Sequence, residues 1–490
     1  MDKKINFLDC MVPIIGLVLI LIYGLIIQPI ILKKSPISLE IIFLLGIFIS
    51  VINLKRLNYK WEEIQNSMIK KISEALPAIF IIFTIGVLIG SWVISGTVPM
   101  LIYYGIKIIN PEYIYIIAFI VPIIFSILTG TSWGSIGTIG VVIVSIASVN
   151  GANMSIVAGA VVGGAYFGDK MSPLSDTTNV AALSTGVSLF DHIRSMMNTT
   201  LPAAFLAAIC YVILGYIYKP VNVNTELVVI VETLNALKSI FNFNIFLLIP
   251  VFIVLYGSFT KKPTVPVLII SSFTAVFLAI VFQRFSIDNV FMVLNKGFNI
   301  EMITWSKDIP VNVIRILNRG GLYNLIESIV ICIVVFAFLG TLELINAMPT
   351  VVEKCFGFVK TKSGTILSSM FATAITIAMT SDPRATLFFV GGAFKEKYDR
   401  QNIPRKVLSR SLEDFGTMLE SILPWTTTGI FVYGALGISV ADYWNWQFLS
   451  LFNFIIAIIL AYTGIGCFYN EKISKEKTLN DKKIENNFSI

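Results

Sequence analysis

Long apolar stretches separated by short polar connections run along almost the whole chain. Many approach or exceed the length of about 20 residues that a helix needs to cross the hydrocarbon core of a bilayer. The clearest are residues 10–32, 37–54, 75–95, 111–128, 201–218, 245–259, 263–283, 328–344 and 448–469. The pattern predicts an all-α polytopic membrane protein with about 10 to 12 membrane segments, some of them broken or re-entrant.

Composition supports a membrane location. Of the 490 residues, 56% are hydrophobic and only 13% are charged, whereas a soluble domain has about 25% charged residues. Such a chain lacks the polar surface to cover itself in water. Lys3 and Lys4 precede an apolar run that is too long for a signal-peptide core and has no small-residue cleavage site, so the N-terminus predicts a first transmembrane helix. We expect a multi-pass protein of the cytoplasmic (inner) membrane.

Several function classes are disfavoured. The five cysteines have neither metal-ligand nor disulfide spacing, and a single histidine, His192, argues against a histidine-built metal site. The sequence contains no phosphate-binding loop of the G-x-x-x-x-G-K-[ST] type, so ATP is not the expected energy source. The net charge of +7 is ordinary for a protein with Lys and Arg in its cytoplasmic loops. We therefore expect no cofactor and no nucleic-acid partner, but contact with lipid and small ions; a homodimer is compatible with the sequence.

Two polar segments help to divide the chain. Residues 55–74 carry apolar side chains at intervals of three to four, which predicts an amphipathic helix on the membrane surface. The segment after Tyr469 is rich in Lys, Glu and Asn, and it predicts a disordered cytoplasmic tail. The predicted units are N-terminal spans with the interfacial helix, a first transport repeat, connecting spans, a second transport repeat and the tail, at residues 1–74, 75–220, 221–324, 325–469 and 470–490.

An internal duplication accounts for the two predicted repeats. Gly90 and Gly340 are 250 residues apart, as are Pro99 and Pro349, and Thr131-Ser132 pairs with Ser381-Asp382 at the same distance. Each half then reaches a second polar stretch, at residues 167–179 and 412–429. The order of apolar helix, polar break, apolar helix and polar break, found twice, indicates a repeat-built transporter with its site near the middle of the membrane.

The polar breaks of the first half hold most candidate ligands. Backbone freed from a helix must be buried in protein or line a cavity, and hydroxyl and carbonyl oxygens are hard ligands suited to Na⁺. A helix–helix contact through small residues is the alternative for residues 129–135. Ionisable residues inside a membrane are functional-site candidates by default, although Asp176 could be a helix N-cap and Asp169-Lys170 a solvated loop pair. The predicted cation and proton site, led by Asp176, contains Asp169, Asp176, Thr131, Ser132, Ser172, Ser175, Thr177, Thr178 and Asn179.

The second half adds candidates of its own. Asp382-Pro383 is typical of an N-cap followed by proline at the first helical position, and it predicts a half-helix whose positive end faces the site. Thr426 and Thr427 are further candidate ligands. Weaker candidates are Glu343 inside an apolar run, and Glu413 and Asp414, which follow a basic stretch and could pair with it at a membrane face. We expect His192 to be structural.

At this point the residues resemble a known family. GTSWGSIGTIG from Gly130 and FGDKMSPLSDTTN from Phe167 are similar to NhaC-type Na⁺/H⁺ antiporters. The second run, with Asp191-His192-Ile193, resembles most closely the branch that exchanges malate with protons for Na⁺ with lactate. In the second half, LSRSLEDFGT from Leu408 agrees. The resemblance implies an ion-transporter fold with two inverted repeats, paired broken helices and a cation site within them.

The chain departs from the family pattern in both breaks of the second half. The family usually has Asp-Gln-Tyr where this chain has Asp382-Pro383-Arg384, and a small or polar neutral residue where this chain has Glu420. Because an unpaired buried charge is costly, we hypothesise that Arg384 and Glu420 pair with each other; the alternative is that each faces water independently.

The interpretation that combines these features is a secondary active transporter, not an enzyme, that exchanges Na⁺ for H⁺ by alternating access. A carboxyl group taken out of water favours its protonated form, so protons compete with Na⁺ for it. The alternative is an exchanger of the same family for malate- or lactate-like acids or for amino acids, in which Arg384 would clamp a carboxylate. A channel would need a continuous pore lined by rings of ligands, and an enzyme a nucleophile–base or metal set; the sequence indicates neither.

Overall fold

In a computed structural model, the described residues form helices and connecting turns, with no β-strand among them. These residues are 5–219, 223–260, 262–306, 308–347, 350–351, 354 and 359–469; Pro349 and the predicted tail lie outside them. Within this part of the chain, eight helices are long and apolar enough to cross a membrane, or up to ten if each of two bent helix pairs is one span. The predicted all-α, multi-pass architecture is confirmed.

The N-terminal part of the chain, up to Ile217, contains the first set of broken helices. Its bounds are α1 Phe7–Ile22 with a π-helical continuation Tyr23–Ile31, α2 Leu39–Arg56, α3 Trp61–Ile94, α4 Thr97–Ile108, α5 Ile114–Thr129, α6 Ser132–Ser135 with a π-helical continuation Ile136–Gly140, α7 Val141–Val149, α8 Met154–Met171, α9 Asp176–Thr185 and α10 Leu189–Ile217.

A connecting group follows, and then a second set of broken helices. The connecting helices are α11 Val223–Ile240, α12 Ile249–Phe259, α13 Thr264–Phe282, α14 Ile287–Lys296 and α15 Val311–Leu317. The second set is α16 Ile326–Glu343, α17 Lys362–Thr380, α18 Pro383–Arg400, α19 Arg405–Phe415, α20 Thr417–Glu420, α21 Thr427–Leu436, α22 Val440–Tyr443 and α23 Phe448–Thr463.

The two sets repeat the same order of elements at a constant distance along the chain. α5 ends at Thr129 and α17 at Thr380, 251 residues later, and the half-helices α9 and α21 begin at Asp176 and Thr427, again 251 residues apart. This recurrence is compatible with the duplication predicted from the sequence, at an offset one residue longer than the sequence identities suggested.

Each break is built by local chemistry that recurs at this offset. Before the first break of each set the chain takes a left-handed turn, at Gly130 (φ 67°) and at Ser381 (φ 52°). The next residue, Thr131 or Asp382, then caps the half-helix by accepting backbone N–H groups with its side-chain oxygen. Such caps satisfy N–H groups that hydrocarbon could not, which allows a helix to stop and restart within the membrane.

Close packing of α5 and α8 holds the first breaks in place. An added Cβ at Gly164 would lie 2.1 Å from the carbonyl oxygen of Phe119, and one at Gly168 would lie 2.5 Å from that of Ile123. The hydroxyl of Ser126 donates to the carbonyl of Ala165 at 2.6 Å. Small residues that let two backbones approach are a common device of membrane helix packing, and here they fix the end of α8 against the end of α5.

The segment predicted as an interfacial helix is different in the structure. Residues 61–74 are the first turns of the 34-residue α3, continuous with its membrane-spanning part. Part of their apolar face packs on α16: the Ser67 hydroxyl donates to the Gly340 carbonyl at 2.7 Å, and a Cβ at Gly340 would lie 2.6 Å from Met68 Cα. The spacing of apolar residues predicted the helix correctly, but the helix packs partly against α16 and does not lie only on the membrane surface.

The opposite membrane orientation of the two repeats stays a prediction, and α3 gives a way to test it. Gly321 donates its backbone N–H to the Gly86 carbonyl at 2.7 Å, and Asn66 lies about 30 Å from Gly86 along the helix at 1.5 Å per residue. Asn66 and Asn318 are both exposed. In a variant with all five native cysteines replaced, Asn66→Cys should react with an impermeant maleimide from the cytoplasmic side and Asn318→Cys from the external side.

A membrane-permeant maleimide should label both introduced cysteines and serves as the control for reactivity. Labelling of both by the impermeant reagent from the same side would mean that the repeats run parallel.

Candidate ion-binding site

The polar breaks of both sets border one cavity of about 370 Å³. Residues from α3, α13 and α16 form apolar parts of its wall. Most of its polar lining comes from the breaks and includes Gly130, Thr131, Ser132, Asp169, Asp176, Thr177, Ser381, Asp382, Arg384, Glu420 and Thr427. Glu74 of α3 and Lys262 before α13 also border it. The expectation that the two halves bring their breaks to a common site is met by this geometry.

Asp169 is a buried carboxylate in this cavity. It lies in the last turn of α8 and is only 7% exposed. The Ser132 hydroxyl donates to its Oδ2 at 2.8 Å, whereas Oδ1 has no hydrogen-bond partner among the described residues. The alternative of a solvated Asp169-Lys170 loop pair is wrong, because both side chains are buried in the packed end of α8.

Glu420 is a second buried carboxylate of the cavity, 3% exposed, at the end of α20. Its Oε1 accepts hydrogen bonds from the hydroxyls of Thr427 at 3.2 Å and Thr428 at 2.6 Å. Thr428 in turn accepts from Trp133 Nε1 at 2.9 Å and from the Tyr166 hydroxyl at 2.7 Å. The site thus includes a hydrogen-bond network that joins the first repeat to the second.

Three members of this network were not predicted from the sequence: Trp133, Tyr166 and Thr428. Thr428 belongs to the Thr426–Thr428 run from which only the first two threonines were chosen. Tyr166 is one helical turn before Asp169 on α8, a spacing that places two side chains on the same face. Helical periodicity applied to the polar residues could have found both.

Asp176, the residue expected to lead the site as a buried carboxylate, is instead exposed. Its side chain is 66% accessible, and it occupies the first position of α9, where its Oδ1 accepts the Thr177 backbone N–H at 2.9 Å. The N-cap of α9 is the preceding residue, Ser175. Asp176 still borders the cavity, but at its mouth, because the start of a half-helix faces the opening and the end of α8 faces the interior.

Arg384 does not pair with Glu420, so that hypothesis is wrong for this structure. Its guanidinium lies 3.6 Å from Asp176 Oδ2 and 3.8 Å from Asp382 Oδ1, and its side chain is 52% exposed. Glu420 accepts hydrogen bonds from the hydroxyls of Thr427 and Thr428 in the other break and forms no ion pair with Arg384. Arg384 therefore lies at the mouth of the cavity, next to Asp176.

The remaining hydroxyl and amide candidates shape the backbone of the breaks. Thr131, Ser175, Asp382 and Thr426 are N-caps of α6, α9, α18 and α21. The others bond to carbonyls that the breaks leave free: Ser172 donates to Ile127, Thr178 to Asp169 and Lys170, and Asn179 to Pro173 and Ser175. Ser172, Ser175, Thr178, Asn179 and Thr426 do not border the cavity.

Glu343 lies outside the cavity. Its carboxylate contacts Lys70 at 2.9 Å and Lys71 at 3.0 Å, at the junction of α3 and α16. With its side chain about one-third exposed, Glu343 has a structural role at the end of a span and is not an ion ligand of this site.

Glu413 and Asp414 are fully buried rather than at a membrane face. Asp414 Oδ1 is 2.6 Å from Lys170 Nζ and accepts from Thr199 at 3.0 Å and Asn453 at 2.9 Å. The nearest contact to the basic stretch is Arg410 Nε, 4.0 Å from Asp414 Oδ2. The expected pairing at the membrane face is thus replaced by a buried ion pair between α8 and α19.

His192 belongs to the same buried region. Its Nδ1 lies 2.9 Å from the Ser409 hydroxyl on α19, and it does not border the cavity. This position agrees with the structural role expected for it.

A fold of many spans around buried carboxylates at discontinuous helices is the architecture of a secondary transporter. Residues 164–465 match the sequence profile of the Na⁺/H⁺ antiporter family. The chain belongs to this family, and the resemblance noted in its sequence is confirmed.

Individual relatives are similar over most of their length. The chain is 40% identical to an uncharacterized Na⁺/H⁺ antiporter of Haemophilus influenzae over 84% of this chain and 87% of that protein. It is 33% identical to the malate-2H⁺/Na⁺-lactate antiporter of Bacillus subtilis over 88% and 91%. It is 32% identical to the Na⁺/H⁺ antiporter NhaC of Alkalihalophilus pseudofirmus over 86% and 88%.

The buried ion pair of Lys170 and Asp414 makes a prediction about stability. Lys170→Met leaves the Asp414 carboxylate buried without its cation, and breaking a buried pair in this way costs about 3 to 5 kcal/mol. The purified variant should unfold at a clearly lower temperature than wild type, and Lys170→Met combined with Asp414→Asn should recover part of the loss. Lys296→Met, at an exposed position of α14, is the matched control; equal midpoints for all variants would contradict the assignment.

Proposed function

We propose that the protein exchanges Na⁺ for H⁺ across the cytoplasmic membrane, and that Asp169 is the carboxylate on which the two ions compete. The observation that carries the proposal is the free Oδ1 of Asp169, buried beside the cavity between two repeats. Membership of the Na⁺/H⁺ antiporter family supports the choice of ions.

The competition follows from the cost of a buried charge. An ionised carboxylate out of water costs several kcal/mol unless it is paired, and no basic side chain within the described residues forms an ion pair with Asp169. Its charge is balanced when it binds one proton or one Na⁺. Because both ions use the same oxygen, occupancy by one excludes the other, and this exclusion couples their movements.

The surroundings of Asp169 suit both forms. Ser132 supplies a hydroxyl, and the Gly130 carbonyl in the break between α5 and α6 is an oxygen of the kind that Na⁺ binds. The N-terminus of α6 begins at the cavity beside Asp169, at Ser132, and the positive end of a helix dipole favours a nearby carboxylate anion. This effect favours release of the proton.

The first test compares two aspartates of the cavity. In proteoliposomes, Asp169→Asn should reduce proton movement driven by a Na⁺ gradient to the level of protein-free vesicles, because an amide neither releases a proton nor balances Na⁺. Asp176→Asn should retain measurable exchange, because that side chain lies in water at the mouth. The readout is a pH-sensitive dye trapped inside the vesicles.

Asp288→Asn, at an exposed position in the first turn of α14, is the matched control for expression and reconstitution. Wild-type exchange by Asp169→Asn together with loss in Asp176→Asn would restore Asp176 as the leading carboxylate.

The second candidate function is exchange of a small organic acid coupled to Na⁺ or H⁺. It is favoured by Arg384, which borders the cavity and is half exposed, with its guanidinium 3.6 Å from Asp176 and 3.8 Å from Asp382. A cavity of about 370 Å³ is also much larger than a bare Na⁺. A relative with 33% identity is named as a malate-2H⁺/Na⁺-lactate antiporter.

Arg384 separates the two functions. If an acid is carried, Arg384→Gln should abolish exchange of labelled malate or lactate while leaving dye-detected Na⁺/H⁺ exchange, because the amide cannot form a charged clamp. Arg284→Gln, at an exposed position after α13, is the control. Wild-type vesicles that take up neither acid, with Na⁺/H⁺ exchange intact, would remove this candidate.

A further inference from the structure

Glu420 occupies the position in the second repeat that Asp169 occupies in the first. The two residues are 251 residues apart, the same distance that separates the N-caps Ser175 and Thr426 of the half-helices that follow them. Both lie at the end of the helix that precedes a break, and both border the same cavity. We propose that Glu420 is a second ion-binding carboxylate, so that the transporter holds two exchangeable monovalent ions, one for each repeat.

The hydrogen bonds of Glu420 leave one oxygen for an ion. Oε1 accepts from Thr427 and Thr428, whereas Oε2 has no hydrogen-bond partner among the described residues, although the side chain is 97% buried. Asp169 has the same division, with Oδ2 held by Ser132 and Oδ1 free. A buried carboxylate that borders a cavity, with one oxygen held by hydrogen bonds and the other unpaired, is a ligand for a proton or a cation.

The donors and acceptors of the hydrogen-bond network determine which carboxylate oxygen of Glu420 can take the ion. Trp133 Nε1 is only ever a donor, and it donates to Thr428 Oγ1. The Tyr166 hydroxyl donates to the same atom. With both acceptor positions of Thr428 Oγ1 filled, its own proton goes to Glu420 Oε1 at 2.6 Å. Oε1 is therefore an acceptor in either state of the site, and the exchangeable proton or Na⁺ is directed to Oε2.

Within the described residues, no lysine or arginine forms an ion pair with Glu420; Lys262 and Arg384 border the same cavity, and Arg384 pairs instead with Asp176 and Asp382. The titratable groups that interact with it are Asp169 and Tyr166 on α8, Asp382 before α18 and Tyr443 on α22, and none of these is basic. By contrast, the buried Asp414 has Lys170 at 2.6 Å.

A third buried acid, Glu413, accepts from Thr417 and does not border the cavity. Of the buried glutamates in the described chain, Glu420 alone therefore faces the space that an ion would enter.

The inference rests on the proposed exchange at Asp169. The number of protons that Na⁺ displaces from each variant tests the second site separately from the first. Purified protein in detergent and weak buffer is titrated with NaCl, and released protons are followed with a pH dye, with choline chloride as the blank. Each ion that displaces a proton from a carboxylate releases it to solution.

Wild type should release about two protons per chain, Glu420→Gln and Asp169→Asn about one each, and the double variant none. Glu327→Gln, at an exposed position in the first turn of α16, is the matched control and should behave as wild type. Equal release by Glu420→Gln and wild type, with a loss in Asp169→Asn, would leave the proposed function standing and overturn the second site. No release by wild type would overturn both, and loss of one proton in Glu413→Gln but not in Glu420→Gln would move the second site to Glu413.

Thr428→Val covers the case in which Glu420→Gln does not fold into a monodisperse protein. Loss of its hydroxyl removes the closest donor to Oε1, so one of the two released protons should require at least several-fold more Na⁺ than in wild type. A titration curve identical to wild type would count against Glu420 as the second ligand.

Discussion

A carboxylate without water must have its charge balanced, and this constraint governs the centre of the molecule. Desolvating an ion costs several kcal/mol even after the protein relaxes. Asp414 meets the constraint with Lys170, at 2.6 Å and fully buried. Asp169 and Glu420 meet it only in part: serine and threonine hydroxyls hold one oxygen of each, and no lysine or arginine pairs with them in the described chain. The first arrangement is permanent, whereas the second requires an ion from outside.

The broken helices follow from the same constraint. An unbroken span uses its backbone groups internally and has none to offer a ligand. At Gly130 and Ser381 the chain turns into the left-handed region, and at Thr131 and Asp382 a side chain caps the next half-helix. Hydroxyls, carbonyls and helix N-termini thereby come to one cavity. The same turn and cap recur 251 residues apart, and a buried carboxylate precedes the half-helix in each half: an aspartate in the first and a glutamate in the second.

The sequence predicted the all-α, multi-pass fold and the four polar breaks, because apolar length and polar interruption are local properties. It expected Asp176 to be the buried carboxylate, whereas Asp169 is the buried one. Both lie between apolar segments, and only the close approach of α8 to α5 at Gly164 and Gly168 decides which is buried. Charge compensation suggested an Arg384–Glu420 pair, but the hydroxyls of Thr427 and Thr428 satisfy Glu420 instead. Long-range contacts of this kind leave no trace in a local pattern.

The ion pair between Lys170 and Asp414 also limits how the protein can move. It joins α8 of the first repeat to α19 of the second, and separating them would leave two opposite charges in a medium that solvates neither. Separating these two helices is therefore costly. The N-terminal turns of α3 are likewise fastened to α16 of the second half, through Ser67 and Gly340. The two halves of the chain are thus interlocked, and a motion that separated them as units would have to break the buried pair of Lys170 and Asp414.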